Sequence, residues 1–286
     1  MSTPLRRRLA GLVAAVALIA AAAACGSSSS SSAGSGFRLS ASQLTAPGTT
    51  AAAPIPSHLV SVATAKVAEV DVFEQRPGAA KPVSATQAKP TQVPPIPRVG
   101  LNSAGSRKTA DGWAYSNPTY FKNPLVFQVL EQDGDWLKVM IPARPNGSTG
   151  WIKASDVDQS IHRFRLELTL STFHLQAFDG DDLVAETNVV IGKDSTPTPV
   201  GTFYLNEIIK QSSPGGAYGP WILSTSAYSE ALDTFDGGLP VVAFHGTNQP
   251  GLIGTKASNG CIRMPNDVVT KLAETLPPGT PITIRV

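Results

Sequence analysis

The chain has 286 residues, 42% of them hydrophobic and only 15% charged, and carries a formal net charge of +2. Removing Arg6, Arg7 and Arg8 at the extreme N-terminus takes that charge from +2 to −1, so no basic field argues for a nucleic-acid partner. No metal motif, phosphate loop or dinucleotide fingerprint occurs, so neither a metal nor a cofactor is expected.

Behind the three arginines, Leu9 to Ala24 is an unbroken apolar run. It falls short of the roughly 20 residues that span a bilayer, and reads as a signal-peptide core serving either the general or the twin-arginine export route. The small residues Ala22-Ala23-Ala24 before Cys25-Gly26 resemble a bacterial lipoprotein processing site. That resemblance implies a signal peptide with its lipobox cysteine over 1–25, cut before Cys25, whose acylation anchors the protein at the outer face of the cytoplasmic membrane; ordinary cleavage after Ala24 is the alternative. Residues 26–58 are Ser, Ala, Gly, Thr and Pro with almost no aromatic residue, a composition expected of a disordered tether.

Short strand-like runs follow at Ala65–Phe73, Leu125–Glu131, Trp136–Ile141 and Gly150–Lys153, bounded by Pro, Gly, Asn or Asp. Asp133-Gly134 between two of them is a hairpin signal, and the Pro-, Ala- and Lys-rich stretch Pro77–Arg98 reads as an exposed loop. The pattern predicts a small β-barrel over 59–158. Trp136-Leu137-Lys138-Val139 and Gly150-Trp151-Ile152 resemble a bacterial SH3-like domain. Such a domain implies either a spacer and packing partner or a contact with wall peptides, and the bulk of Trp136 and Trp151 favours a core role.

From Arg163 the chain alternates polar and apolar residues through Leu170, as a half-buried strand does. Thr172–Phe178 and Leu183–Ile191 are further strands around an acidic turn, Asp179 to Asp182, that lacks calcium-ligand spacing. The Pro-containing segment Thr196–Tyr204 reads as a rigid turn feeding a strand, and Leu239–Phe244 as a strand delivering His245. One helix is predicted, capped by Asn266 or Asp267, with Val268, Leu272 and Leu276 on one face, Val269 beside them, and Pro277-Pro278-Gly279 ending it. Pro281–Val286 closes the domain. The expectation for 162–286 is a β-sandwich or barrel with one main helix, in a chain that is mainly β.

His245 and Cys261 are the candidate base and nucleophile, separated by a stretch short enough for a turn to bring them together. A buried structural cysteine with a surface histidine is the other reading of the pair. Two cysteines in an exported protein would ordinarily join. An acylated Cys25 leaves Cys261 a lone thiol, and Cys25 in a loose tether makes a poor partner in any case. His58, His162 and His174 have no Cys or acidic partner at ligand spacing and read as surface or strand residues. Gly215–Trp221 has the composition of a mobile lid, in which Tyr218 and Trp221 either contact substrate or pack the loop.

His245-Gly246-Thr247-Asn248, Ile253-Gly254 and Ser258-Asn259-Gly260-Cys261-Ile262-Arg263-Met264 together resemble the L,D-transpeptidase catalytic domain of the YkuD type, over about 163–286. Many members have histidine where this chain has Asn259, so any part that histidine plays must fall to Asn259 or to backbone. The resemblance implies attack by Cys261 on a peptidoglycan tetrapeptide stem, with His245 as base and then acid, and backbone N–H groups of Gly260 and Cys261 receiving the oxyanion. Ser258 would orient His245 or simply shape the turn. Arg263 would hold a substrate carboxylate or brace the loop, and Gly246, Thr247, Asn259 and Tyr218 would line the substrate site. Peptidoglycan stems are then donor and acceptor in 3→3 cross-links, and carbapenems are expected inhibitors. An L,D-carboxypeptidase passing the same acyl-enzyme to water, and a non-catalytic wall-binding lipoprotein with an inert Cys261, are the competing readings.

Overall fold

A computed structural model describes residues 59–79 and 105–286. The expected leader, the Cys25 anchor, the tether, His58 and most of the Pro77–Arg98 loop lie outside the described residues.

The first sheet is antiparallel throughout. Its strands are β1 (Val60–Ala65), β2 (Glu69–Phe73), β3 (Ser106–Lys108), β4 (Gly112–Ser116), β5 (Val126–Asp133), β6 (Trp136–Met140), β7 (Thr149–Lys153) and β8 (Val157–His162). They lie in the order β3-β4-β2-β7-β6-β5-β1-β8. Alternation selects the inner face: Val70 and Val72 are buried while Glu69 and Asp71 between and before them are exposed. With Phe127, Leu137, Val139 and Ile152 these residues make one apolar core. The expected hairpin at Asp133-Gly134 forms, with Asp133 opposite Trp136 and Gly134 at φ 58.

Two expectations for this region need correction. The run from Ala65 to Phe73 is not one strand, because Asn117 Nδ2 donates to the carbonyls of Ala65 (3.2 Å) and Val67 (2.9 Å) and turns the chain between β1 and β2. Trp136 and Trp151 are not core residues. Their register opposite Lys153 and Lys138 places both on the face away from Leu137 and Ile152, where each is half-buried. Pairing of β8 with β1 runs from Val157 through His162.

The second region holds β9 (Phe164–Thr169), β10 (His174–Asp179), β11 (Asp182–Asn188), β12 (Ile191–Gly192), β13 (Gly201–Lys210), β14 (Trp221–Tyr228), β15 (Val241–His245), β16 (Lys256–Ser258), β17 (Ile262–Arg263), the helix α1 (Asn266–Thr275) and β18 (Pro281–Arg285). Eight of these strands form a mixed sheet, β11-β10-β9-β18-β13-β14-β15-β17, while β12 and β16 pair separately. The long strand β13 changes partner midway: Gly201–Tyr204 pairs with β18, and Leu205 onward with β14. The core gathers Leu166, Leu168, Phe203, Leu223, Phe244 and Ile262 under Val269 and Leu272 of the helix. Neither Asn266 nor Asp267 caps α1. Pro265 holds the N-cap position, and the Asn266 carboxamide is spent on the backbone N–H of Thr247 at 2.8 Å.

Both regions belong to one compact unit, and buried polar groups join them. Tyr204 and Tyr228 are fully buried, so their hydroxyls need partners; they donate to the carbonyls of Val126 (3.2 Å) and Pro142 (2.7 Å) in the first region. Asn146 reads the backbone of Tyr228 from both sides, accepting from its N–H and donating to its carbonyl, each at 2.9 Å. Arg144 donates to the carbonyls of Ser229 and Leu232. The regions should therefore melt together in a single transition. Asn146→Ala should lower the unfolding free energy by about 2 kcal/mol in urea titration, since it strands two backbone groups at the join.

Candidate active site

His245 ends β15, and Cys261 immediately precedes β17; the two strands run parallel, with Phe244 opposite Ile262 and His245 opposite Arg263. Neighbouring strands lie about 4.8 Å apart, so this pairing carries the thiol-bearing turn alongside the strand that ends in histidine. β15 is buried along its whole length, and His245 is only 3% exposed. Its Nδ1 sits 2.6 Å from the carbonyl oxygen of Gly246. A carbonyl only accepts, so Nδ1 carries the hydrogen and the free lone pair is on Nε2. Burial pushes the imidazole down from 6.5 to about 4; the Gly246 carbonyl opposes this and the charge of Arg263 adds to it. The Tyr218 ring packs across the imidazole, with centroids 4.9 Å apart at 66°.

Cys261 is a free cysteine and half-buried, with Sγ 3.9 Å from the carbonyl oxygen of Val241. Burial of the sulfur pushes the thiol above its ordinary value, against the pull of the Ala243 backbone and of Arg263. Among the described residues no hydrogen bond joins His245 to Cys261. Both shifts favour the uncharged forms of the two groups, an imidazole and a thiol.

The turn in front of the thiol is braced by hydroxyls. Ser258 is buried, and its Oγ donates to the carbonyl of Cys261 (2.6 Å) while accepting from the N–H of Gly260 (3.1 Å). Both of its carbonyl contacts, with the Lys193 N–H (3.0 Å) and Thr196 Oγ1 (3.3 Å), also lie in this scaffold. Ser258 therefore shapes the turn and makes no hydrogen bond to His245. The N–H of Gly260 is engaged by Ser258, which leaves the N–H of Cys261 as the candidate oxyanion donor. Gly260 sits at φ 118, a conformation that disfavours a side chain. Thr198 completes the brace, donating to the Gly260 carbonyl (2.8 Å) and accepting from the Gly192 N–H (2.9 Å).

The other expected site residues divide between support and surface. A Cβ on Gly246 would fall 2.3 Å from Asn266 Oδ1 and 3.0 Å from the Gly219 Cα, so only glycine lets the 213–219 turn close over β15. Thr247 is buried, and its Oγ1 accepts from the Gln249 N–H at 2.9 Å, a structural rather than a substrate-facing arrangement. Asn259 is exposed. Arg263 exchanges both backbone bonds with Val190, and its buried Nε has no partner among the described residues. Trp221 opens β14 opposite Lys210 and packs on the main core, whereas Tyr218 stays on His245. His162 accepts from the Phe164 N–H (3.1 Å) and His174 faces Glu186 (3.4 Å), both within their strands. No group of three His, Cys, Asp or Glu side chains that could hold a metal occurs among the described residues. Thr196, Thr198 and Asn266 were not singled out as site residues in the sequence; only the Thr-Pro-Thr-Pro phrase hinted at a rigid brace.

Residues 163–284 match the model of the YkuD family, described as an L,D-transpeptidase catalytic domain. A Bacillus licheniformis protein named "Putative L,D-transpeptidase YkuD" is 35% identical over 42% of this chain and 65% of its own length. Its Bacillus subtilis counterpart is 41% identical over 34% of this chain and 51% of its own. The chain thus spans between half and two thirds of the length of these curated relatives. The solved catalytic domain of an Enterococcus faecium L,D-transpeptidase is 22% identical, covering 42% of this chain and 95% of that one with a TM-score of 0.31.

A neutral thiol predicts a particular reactivity. Alkylation of Cys261 by iodoacetamide, followed by mass spectrometry, should be slow at pH 7 and rise through the alkaline range with no step between pH 4 and pH 6. A rate already on its plateau at pH 6 would mean a standing thiolate–imidazolium pair instead.

Proposed function

We propose that this chain is a cysteine-dependent L,D-transpeptidase that cross-links cell-wall peptidoglycan, exported and held at the outer face of the cytoplasmic membrane by a lipid on Cys25. The observation that supports it most is the parallel pairing of β15 with β17, which sets Cys261 beside His245 inside the segment matching the YkuD model. The first β-region is read as an SH3-like domain that packs on the catalytic region.

In the proposed reaction the Cys261 thiol adds to the carbonyl that joins the third stem residue to D-Ala. Its proton passes to Nε2 of His245, the nitrogen that the Nδ1–Gly246 contact leaves unprotonated. Since the resting thiol is held high and the imidazole low, transfer is unfavourable until the sulfur's charge moves onto the carbonyl oxygen. Proton transfer is therefore coupled to bond formation. The oxyanion is received by the N–H of Cys261, with the charge of Arg263 nearby. Collapse breaks the C–N bond; the departing D-Ala amine takes the proton from His245, leaving a thioester. The side-chain amine of a second stem then attacks, gives a proton to His245, and expels the thiolate, which recovers that proton. Carbapenems present a reactive carbonyl to the same thiol and should acylate it.

Mixing the protein with a disaccharide-tetrapeptide, beside a Cys261→Ala variant, tests this by mass spectrometry. A dimer lacking one D-Ala should appear with the parent and vanish with the variant. Tripeptide without dimer would reassign the acceptor as water, and turnover by Cys261→Ala equal to the parent would remove the nucleophile assignment. Ser258→Ala, which frees the Gly260 N–H and the Cys261 carbonyl together, should lower kcat by about a hundredfold while the protein stays folded.

A further inference from the structure

The loop from Thr119 to Asn123 belongs to the first β-region but is fastened to the second. Thr119 Oγ1 and Asn123 Nδ2 both donate to Oε1 of Glu207, at 2.6 and 2.8 Å. Glu207 lies in β13 and is 1% exposed, so one buried carboxylate holds both ends of the loop. The loop is also closed on itself. The N–H of Thr119 meets the carbonyl of Asn123 (2.9 Å), that of Lys122 meets Thr119 (3.0 Å), and Lys122 takes a left-handed φ of 68.

The tip set by this clamp is Tyr120-Phe121. Phe121 packs on a small apolar cluster of Ile209, Ile222 and Ala243, the cluster that also contains Tyr218 and Cys261. Ile209, Ile222 and His245 stand opposite one another across β13, β14 and β15, so one row of side chains leads from this cluster to the base. Two strand spacings make that row about 10 Å long. Tyr120 meets Phe121 edge-on, with centroids 5.1 Å apart at 87°, yet is 72% exposed. Packing between the two regions accounts for Phe121 but leaves a large aromatic ring standing in solvent on a fixed support. Such a ring offers contact area at little cost in conformational entropy.

We propose that Tyr120 and Phe121 are substrate-contacting residues supplied by the first region, forming a wall at the Ile209 end of the row of side chains that leads to His245. This rests on the peptidoglycan reading above. On the leaving side of the scissile bond the donor has only one residue. An extended chain covers about 3.4 Å per residue, so only the other, sugar-proximal side reaches some 10 Å from the reacting carbonyl. The wall therefore takes the sugar-proximal end of the donor stem, packing aromatic faces on its methyl and sugar C–H groups.

The test measures D-Ala release by the whole chain from two donors, a disaccharide-tetrapeptide and a peptide lacking the disaccharide and the first stem residue. The variants are Tyr120→Ala, Tyr120→Phe and Phe121→Ala, each checked by thermal melting. Tyr120→Ala should raise KM for the full donor by about tenfold with kcat little changed and leave the truncated donor unaffected, while Tyr120→Phe behaves as the parent. Equal losses on both donors, or a KM for the full donor within about twofold of the parent's, would overturn the wall and leave the transpeptidase reading intact. An effect confined to Phe121→Ala and accompanied by a lowered Tm would make the loop a strut between regions, and also overturns it. A folded parent that releases no D-Ala would instead remove the transpeptidase reading, and the wall with it.

Discussion

The turn from Ser258 to Cys261 depends on a set of buried hydroxyls, and the placement of the Cys261 thiol depends on the turn. A cysteine that precedes a two-residue strand has almost no ladder to hold it. Ser258 closes the turn internally, while Thr196 and Thr198 tie it to the segment after β12. Gly192 permits that approach: a Cβ there would fall 2.3 Å from the Thr196 carbonyl. Each hydroxyl is weak as a stabilising contact but costly to strand when buried, so the arrangement is maintained as a unit.

Burial gives the site its electrostatic character. It depresses the base and elevates the thiol, and the positive charge of Arg263 opposes the imidazolium while favouring the thiolate. Both shifts favour the uncharged forms, an imidazole and a thiol. Tyr218 belongs to this balance, since its ring packs on the imidazole and its own hydroxyl is pushed upward, first by burial and then by the neighbouring Cys261.

The two β-regions are joined by more than apolar contact. Buried tyrosine hydroxyls, the Asn146 bridge and the Glu207 clamp each require a partner at a fixed position, so they set the relative placement of the two sheets as well as their adhesion. Apolar surfaces alone tolerate sliding; buried polar groups do not. That fixity is what holds a loop of the first region at a defined place against the Ile209, Ile222 and Ala243 cluster of the second.

The sequence by itself determined the mainly β character, the one α-helix among the described residues, and the strand that delivers His245. These are properties of local alternation and of turn chemistry. The split between β1 and β2 was not legible, because Asn117, which makes it, is some fifty residues from the carbonyls it binds. Nor was the outward placement of Trp136 and Trp151, which follows from a cross-strand register rather than from hydrophobicity. The work of Asn266 on Thr247, of Thr198 on Gly260 and of Glu207 on Thr119 was equally hidden. In each case a polar side chain is claimed by a partner distant in sequence, and only tertiary structure decides which of several chemically equivalent partners a buried donor will meet.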